Sequence, residues 1–152
     1  MVKLRLEAGN IKNTRVHKVG VLALGSHLEN HGPSLPIDTD AKIASYVSLI
    51  ASLNSGCRFL GVVFPAYELP TIHHGVHYEL KDVAYEITKT LKSAKQYLKI
   101  DRCIIVNGHG GNIPIYQYLD FIEEKSGVTI QVNNSIVENE GQIGRASCRK
   151  RV

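Results

Sequence analysis

Apolar positions along this 152-residue chain follow two alternating patterns. Short unbroken runs rich in β-branched residues come first: "VGVLALG" (Val19 to Gly25), "FLGVVFP" (Phe59 to Pro65), "CIIVNG" from Cys103, and "VTIQV" (Val128 to Val132). Runs of that length and type fit strands buried on both faces. Between them the period lengthens. Ile43, Val47 and Ile50, with Ala44 and Ala51 beside them, recur at helical spacing behind Thr39, a residue able to cap a helix, and this helix is expected to stop around Asn54 to Gly56. Val83, Ile87, Leu91, Ala94 and Leu98 mark a second, amphipathic helix with Lys81, Lys89, Lys92 and Lys95 on its outer side. A third helix is expected from about Ile113 to Lys125, with Pro114 tolerated in its first turn and Gly127 closing it. Strand and helix in strict alternation predict an α/β fold, a three-layer sandwich around a mainly parallel sheet.

Such sheets bind ligands beyond the carboxyl ends of their strands. Three polar segments fall at that edge: His27 to Asp40 after the first strand, His73 to His77 after the second, and Asn107 to Asn112 after the third. The first, "HLENHGPSLPIDTD", gathers two His, a Glu and two Asp. In extended chain, Glu29 and His31 project from one side about 6.6 to 6.8 Å apart, and paired ions in a bridged site lie about 3.5–4 Å apart. Glu29 and His31 can therefore each hold one ion with a carboxylate such as Asp40 between them. Carboxylate with imidazole suits zinc, manganese or ferrous iron. The plainer reading is a polar surface loop, but Pro33 and Pro36, which stiffen it, and the His of neighbouring loops favour the ligand reading. "NGHGGN" lacks the third glycine of a dinucleotide turn, because Ile113 stands there, and it lacks the lysine of a P-loop. His109 fits a metal ligand better, although a phosphate resting on the following helix start is a second reading. "IHHGVH" adds His73, His74 and His77, which are as often structural as catalytic.

Charge changes the picture little. Lys and Arg number 18 against 14 acids, but Arg145, Arg149, Lys150 and Arg151 lie together in "RASCRKRV". Without that tail the chain is neutral, so no nucleic-acid partner is expected. Residues 1–144 read as one domain, and residues 145–152 as a disordered or foreign tail. The three Cys (Cys57, Cys103 and Cys148) form no close pair, which argues against a disulfide framework; Cys57 and Cys103 are expected in the core. No run is long enough to span a membrane, and Glu7 interrupts the region where a signal peptide is apolar, so a cytoplasmic location is expected.

"ENHGPSLPIDTD" and "NGHGGN", in that order across Val19 to Asn112, resemble the creatininase-like amidohydrolases. That resemblance implies that Glu29, Asp40 and His109 ligate one divalent ion, that His31 and Asp40 ligate a second, and that His77 takes the place of the family's histidine after strand two. "LGSHLENHG", Ser34 and "PIDTDAKIA" look most like the archaeal branch that removes formate from a formylamino-pyrimidine ribosyl phosphate, in riboflavin and deazaflavin-coenzyme biosynthesis, with ferrous iron or zinc. The reaction implied is amide hydrolysis by an ion-activated water, with His77 protonating the leaving amine. The family supplies a late glutamate to the second ion, or in creatininase a glutamate where Gly111 stands here. Neither Glu138 nor Glu140 lies in a matching motif, so the second ion is expected to be weakly held and the C-terminal part of the fold missing. The fourth strand, Val128 to Val132, or a neighbour would then be an uncovered edge that invites association and aggregation, and a homo-oligomer is expected. Two other readings stay open: a relative acting on a cyclic amide or peptide, and a fragment without turnover.

Overall fold

The structure is a computed structural model and describes residues 15–139. The tail, Cys148, Glu140 and Glu7 lie outside the described residues. After a 3-10 turn at Val16–Lys18, the elements run β1 (Val19–Leu24), α1 (Thr39–Ser55), β2 (Arg58–Val63), α2 (Leu80–Leu98), β3 (Arg102–Asn107), a 3-10 helix (Gly110–Tyr118), α3 (Leu119–Ser126) and β4 (Thr129–Asn133). The four strands form one all-parallel sheet in the order β2-β1-β3-β4. The four apolar runs are these four strands, and Gly56 and Gly127 close α1 and α3 in the left-handed conformation that glycine adopts without strain.

The two sheet faces are covered differently. Leu22 and Leu24 of β1 and Cys103 and Ile105 of β3 pack into one cluster with Val83, Ile87, Leu91, Ile115 and Ile122, the large side chains of α2, the 3-10 helix and α3. The alternate residues Val21, Ala23 and Val106 are buried outside that cluster. They face α1, which contributes Ala41, Ala44, Ser48 and Ser52. Three layers result. Among the described residues no helix is long and apolar enough to cross a membrane.

Four details depart from the sequence reading. Ile43, Val47 and Ile50 do not face the sheet: they are 37, 39 and 37% exposed, because only small side chains let α1 sit this close to the strands. Thr39 does not cap α1; it is the first helical residue, and its hydroxyl donates to the Pro36 carbonyl at 2.6 Å. The third helix begins as a 3-10 helix at Gly110 and turns α-helical only at Leu119. Pro114 has no N–H for the helical ladder, so this stretch cannot start as a regular α-helix. Cys103 is buried, which pushes its thiol up to about 12, but Cys57 is only half-buried beyond the end of α1.

Candidate active site

Strand order fixes where a site can form. From β1 the chain runs to β2 on one side, then crosses back to β3 on the other. The connections therefore diverge at the carboxyl ends of β1 and β3, where Leu24 pairs with Asn107. Glu29 and His31 follow β1, Asp40 sits in the first turn of α1, and His109 follows β3. Two glycines bring α1 into this crevice. A Cβ at Gly25 would lie 2.6 Å from the Ala41 backbone, and one at Gly108 would lie 2.7 Å from the Asp40 carbonyl oxygen. Asp40 thus arrives buried, at 4% exposure, between the two strand ends.

Glu29, His31, Asp40 and His109 converge. Asp40 Oδ1 accepts from His31 Nε2 at 2.8 Å, while Asp40 Oδ2 lies 2.9 Å from His109 Nδ1. Glu29 Oε2 approaches the same His109 nitrogen at 2.8 Å and lies 3.9 Å from His31 Nε2. On the far side of the ring, His109 Nε2 donates to the Tyr67 carbonyl at 3.1 Å. That bond leaves Nδ1 as the nitrogen that faces the carboxylates. Burial alone would lower the pKa of His109, but the hydrogen bond to Asp40 and the nearby carboxylate charges of Glu29 and Asp40 outweigh it and raise the group to about 10. Glu29 is opposed by burial too, and His109 and His31 hold it at about 2.

One N–H cannot satisfy two carboxylates. Asp40 takes the hydrogen bond, and Glu29 Oε2 is left buried with no hydrogen-bond partner. A divalent cation in place of that proton would satisfy both oxygens and the imidazole lone pair together, so the donor set fits a metal ion. One ligand atom each from Glu29, His31 and Asp40 lie within 4.8 Å of one another, the spread a single ion can gather.

His77 stands beside this group. Its ring is stacked on His109 at 5.9 Å and 13°, and both of its ring nitrogens are buried without a partner. Burial and the neighbouring His109 lower its pKa, so its ring is neutral at neutral pH. The asparagines of "NGHGGN" fasten loops. Asn107 accepts from the His109 backbone and donates to Asn134, and Asn112 accepts from Tyr67 N at 2.9 Å. His73 is exposed, and His27 bonds the Phe64 carbonyl. Glu138 is exposed on the segment after β4. Two further groups belong to the crevice. Glu68 Oε2 lies 3.7 Å from His109 Nε2, and His74 Nδ1 lies 3.3 Å from Glu29 Oε1. Glu68 was findable as an acid just beyond the end of β2.

The family model described as creatininase, creatinine amidohydrolase, matches residues 6–139. The chain belongs to the creatininase family. It is 60% identical over 144 residues to the 2-amino-5-formylamino-6-ribosylaminopyrimidin-4(3H)-one 5'-monophosphate deformylase of Methanobrevibacter ruminantium, covering 95% of this chain and 62% of that protein. A solved creatinine amidohydrolase (creatininase) shares the family fold at a TM-score of 0.67 and 17% identity, over 88% of this chain and 55% of that one. A creatininase variant described as a zinc–zinc type aligns at a TM-score of 0.62 and 14% identity, over 86% of this chain and 52% of that one. The chain thus spans 62–63% of the length of the two curated deformylases it matches at 60 and 58% identity.

Proposed function

We propose that this chain carries the metal-binding half of a divalent-metal-dependent amide hydrolase, one that releases formate from a formylamino-pyrimidine ribosyl phosphate. The observation that carries the proposal is the His109 Nδ1 atom held 2.8 and 2.9 Å from oxygens of two different carboxylates, one of them without a hydrogen-bond partner. The substrate follows from the relatives named as deformylases, at 60 and 58% identity. Glu29, Asp40 and His109 are the proposed ligands of one ion, with His31 and Asp40 serving the second. Zinc or ferrous iron suits this mixture of hard oxygens and imidazole. Bound there, the metal supplies an acidified water near neutral pH and polarises the amide carbonyl.

The remaining work falls to the chain. Asp40 holds His31 and His109 apart through its two oxygens, so neither imidazole can turn away. The Tyr67 carbonyl fixes the His109 tautomer. Neutral His77 has a free ring nitrogen with which to take a proton from the attacking water and pass it to the departing amine as the C–N bond breaks. The acyl product is formic acid, which ionises on release, so each turnover gives the amine, formate and one proton to solvent. Formate release from the formylamino-pyrimidine ribosyl phosphate by the zinc- or iron-loaded chain tests this reading. Ring opening of a cyclic amide, with no formate released from the formylamino-pyrimidine, would redirect it to another member of the family.

A further inference from the structure

The two carboxylates of the site are arranged alike. Asp40 offers Oδ2 to His109 and Oδ1 to His31. Glu29 offers Oε2 to the same His109 nitrogen and Oε1 to a different imidazole, that of His74, at 3.3 Å. The proposed assignment uses the first three of these contacts and leaves the fourth unexplained. His74 Nδ1 is buried and makes no hydrogen bond, although the ring as a whole is 38% exposed. A buried, unpaired ring nitrogen beside a carboxylate oxygen carries a desolvation cost that some partner must offset.

The backbone holds His74 there. Glu29 and Gly75 form an antiparallel bridge, Asn30 N donates to the His74 carbonyl at 2.8 Å, and Val76 N donates to Leu28 O at 2.9 Å. The approach is so close that a Cβ at Gly75 would lie 2.3 Å from the Leu28 carbonyl oxygen. The loop after β2 is thereby strapped to the ligand segment after β1. His73, one residue earlier, is exposed.

We infer that His74 is a further ligand of the second ion, added through its 3.3 Å approach to Glu29 to the donors of Glu29, His31 and Asp40, which already lie within 4.8 Å of one another. Glu29 would then serve both ions as Asp40 does, and the second ion would gain a protein ligand from the loop after β2. Two imidazoles and two carboxylate oxygens make the four-coordinate shell that zinc favours. The inference rests on the metal-dependent reading above.

The test is stepwise titration of the chelator-treated chain with zinc, followed by calorimetry and by metal analysis of the dialysed protein. The unsubstituted chain should take up two ions. His74→Ala should keep the first and lose the second, which weakens by at least the roughly 10- to 100-fold that removal of a mere outer partner costs. His73→Ala should retain both. His74→Gln keeps a polar side chain beside Glu29 but lacks the imidazole, so it should also hold one ion, and circular dichroism of both variants checks that the fold persists. Equal weakening of both ions in His74→Ala, or two ions in His74→Gln, would mean that His74 only steadies Glu29, and the inference fails. A single ion on the unsubstituted chain overturns the inference alone. No ion at all overturns the metal-dependent reading with it.

Discussion

Helices α1 and α2 cover opposite faces of one sheet and do so in opposite ways. α2 turns Val83, Ile87 and Leu91 inward, each 0% exposed, and gives its charged residues to solvent. α1 turns Ala41, Ala44, Ser48 and Ser52 inward and leaves Tyr46 and Leu53 68 and 51% exposed. Large aliphatics hold a helix firmly but keep it at a distance, whereas small residues let backbones approach. α2 is placed for stability. α1 is placed for reach, because Asp40 in its first turn must enter the crevice between β1 and β3. The large apolar core and the helix that delivers Asp40 to the crevice thus lie on different faces of the sheet.

The strongest test of that division lies on the α2 side. Leu91→Ala should cost about 2–5 kcal/mol, as deletion of a fully buried leucine does. Chemical denaturation measures the loss, and metal content per folded chain should stay unchanged. Metal loss from the still-folded variant would show that the two faces are not separate.

On the α1 side the order reverses. Gly108→Ala puts a methyl 2.7 Å from the Asp40 carbonyl oxygen and 2.9 Å from Ala44 Cβ. The helix must move, at roughly 1–3 kcal/mol for overpacking, and Asp40 moves with it. The zinc affinity of this variant should fall tenfold or more, by calorimetric titration, alongside a modest fall in melting temperature. Unaltered affinity would detach Asp40 from the close packing of α1.

The pH response is smaller and belongs to the site alone. In the metal-free chain His109 titrates at about 10, above its ordinary 6.5, so its contribution to stability is full below pH 6.5 and is lost as pH rises through 10. Glu29 titrates at about 2, below its ordinary 4.5, so its contribution is full above pH 4.5 and is lost as pH falls through 2. Thermal melts of the chelated chain should therefore show this pair contributing most between about pH 4.5 and 6.5. Zinc loading should extend that plateau upward, since the cation takes the proton's place. A chelated chain whose melting temperature rises steadily from pH 6.5 to 10 would contradict the His109 assignment.

The smallest effect is expected on the outer side of α1. Val47→Ser, at a site 39% exposed, should change the stability of the isolated chain by no more than about 0.5 kcal/mol. A larger loss in denaturation would show that this stripe is covered in solution.

The sequence was informative wherever a signal is local. The strands are legible because unbroken β-branched runs have few other uses, and α2 because its apolar period matches its buried face. The period of Ile43, Val47 and Ile50 correctly marks a helix but points away from the sheet. The reason lies in Gly25 and Gly108, distant in sequence, which draw the small residues inward. That Glu29, His31, Asp40 and His109 would gather at one edge of the sheet was legible, because each lies on the segment that follows β1 or β3. Which of His73, His74 and His77 enters the crevice was not, since it depends on the bridge between Glu29 and Gly75, a pairing that no spacing encodes.

Asp40 and His109 meet across 69 positions of sequence. Any cation held between them acts as a reversible cross-link that closes a long loop, and it exists only while the chain is folded. Folding and cation occupancy are then one linked equilibrium. Free cation at a hundred times its dissociation constant adds roughly 2.7 kcal/mol to the native state. If the proposed cation is held there, its loss would raise the fraction of unfolded chains and shorten the protein's lifetime wherever proteases patrol.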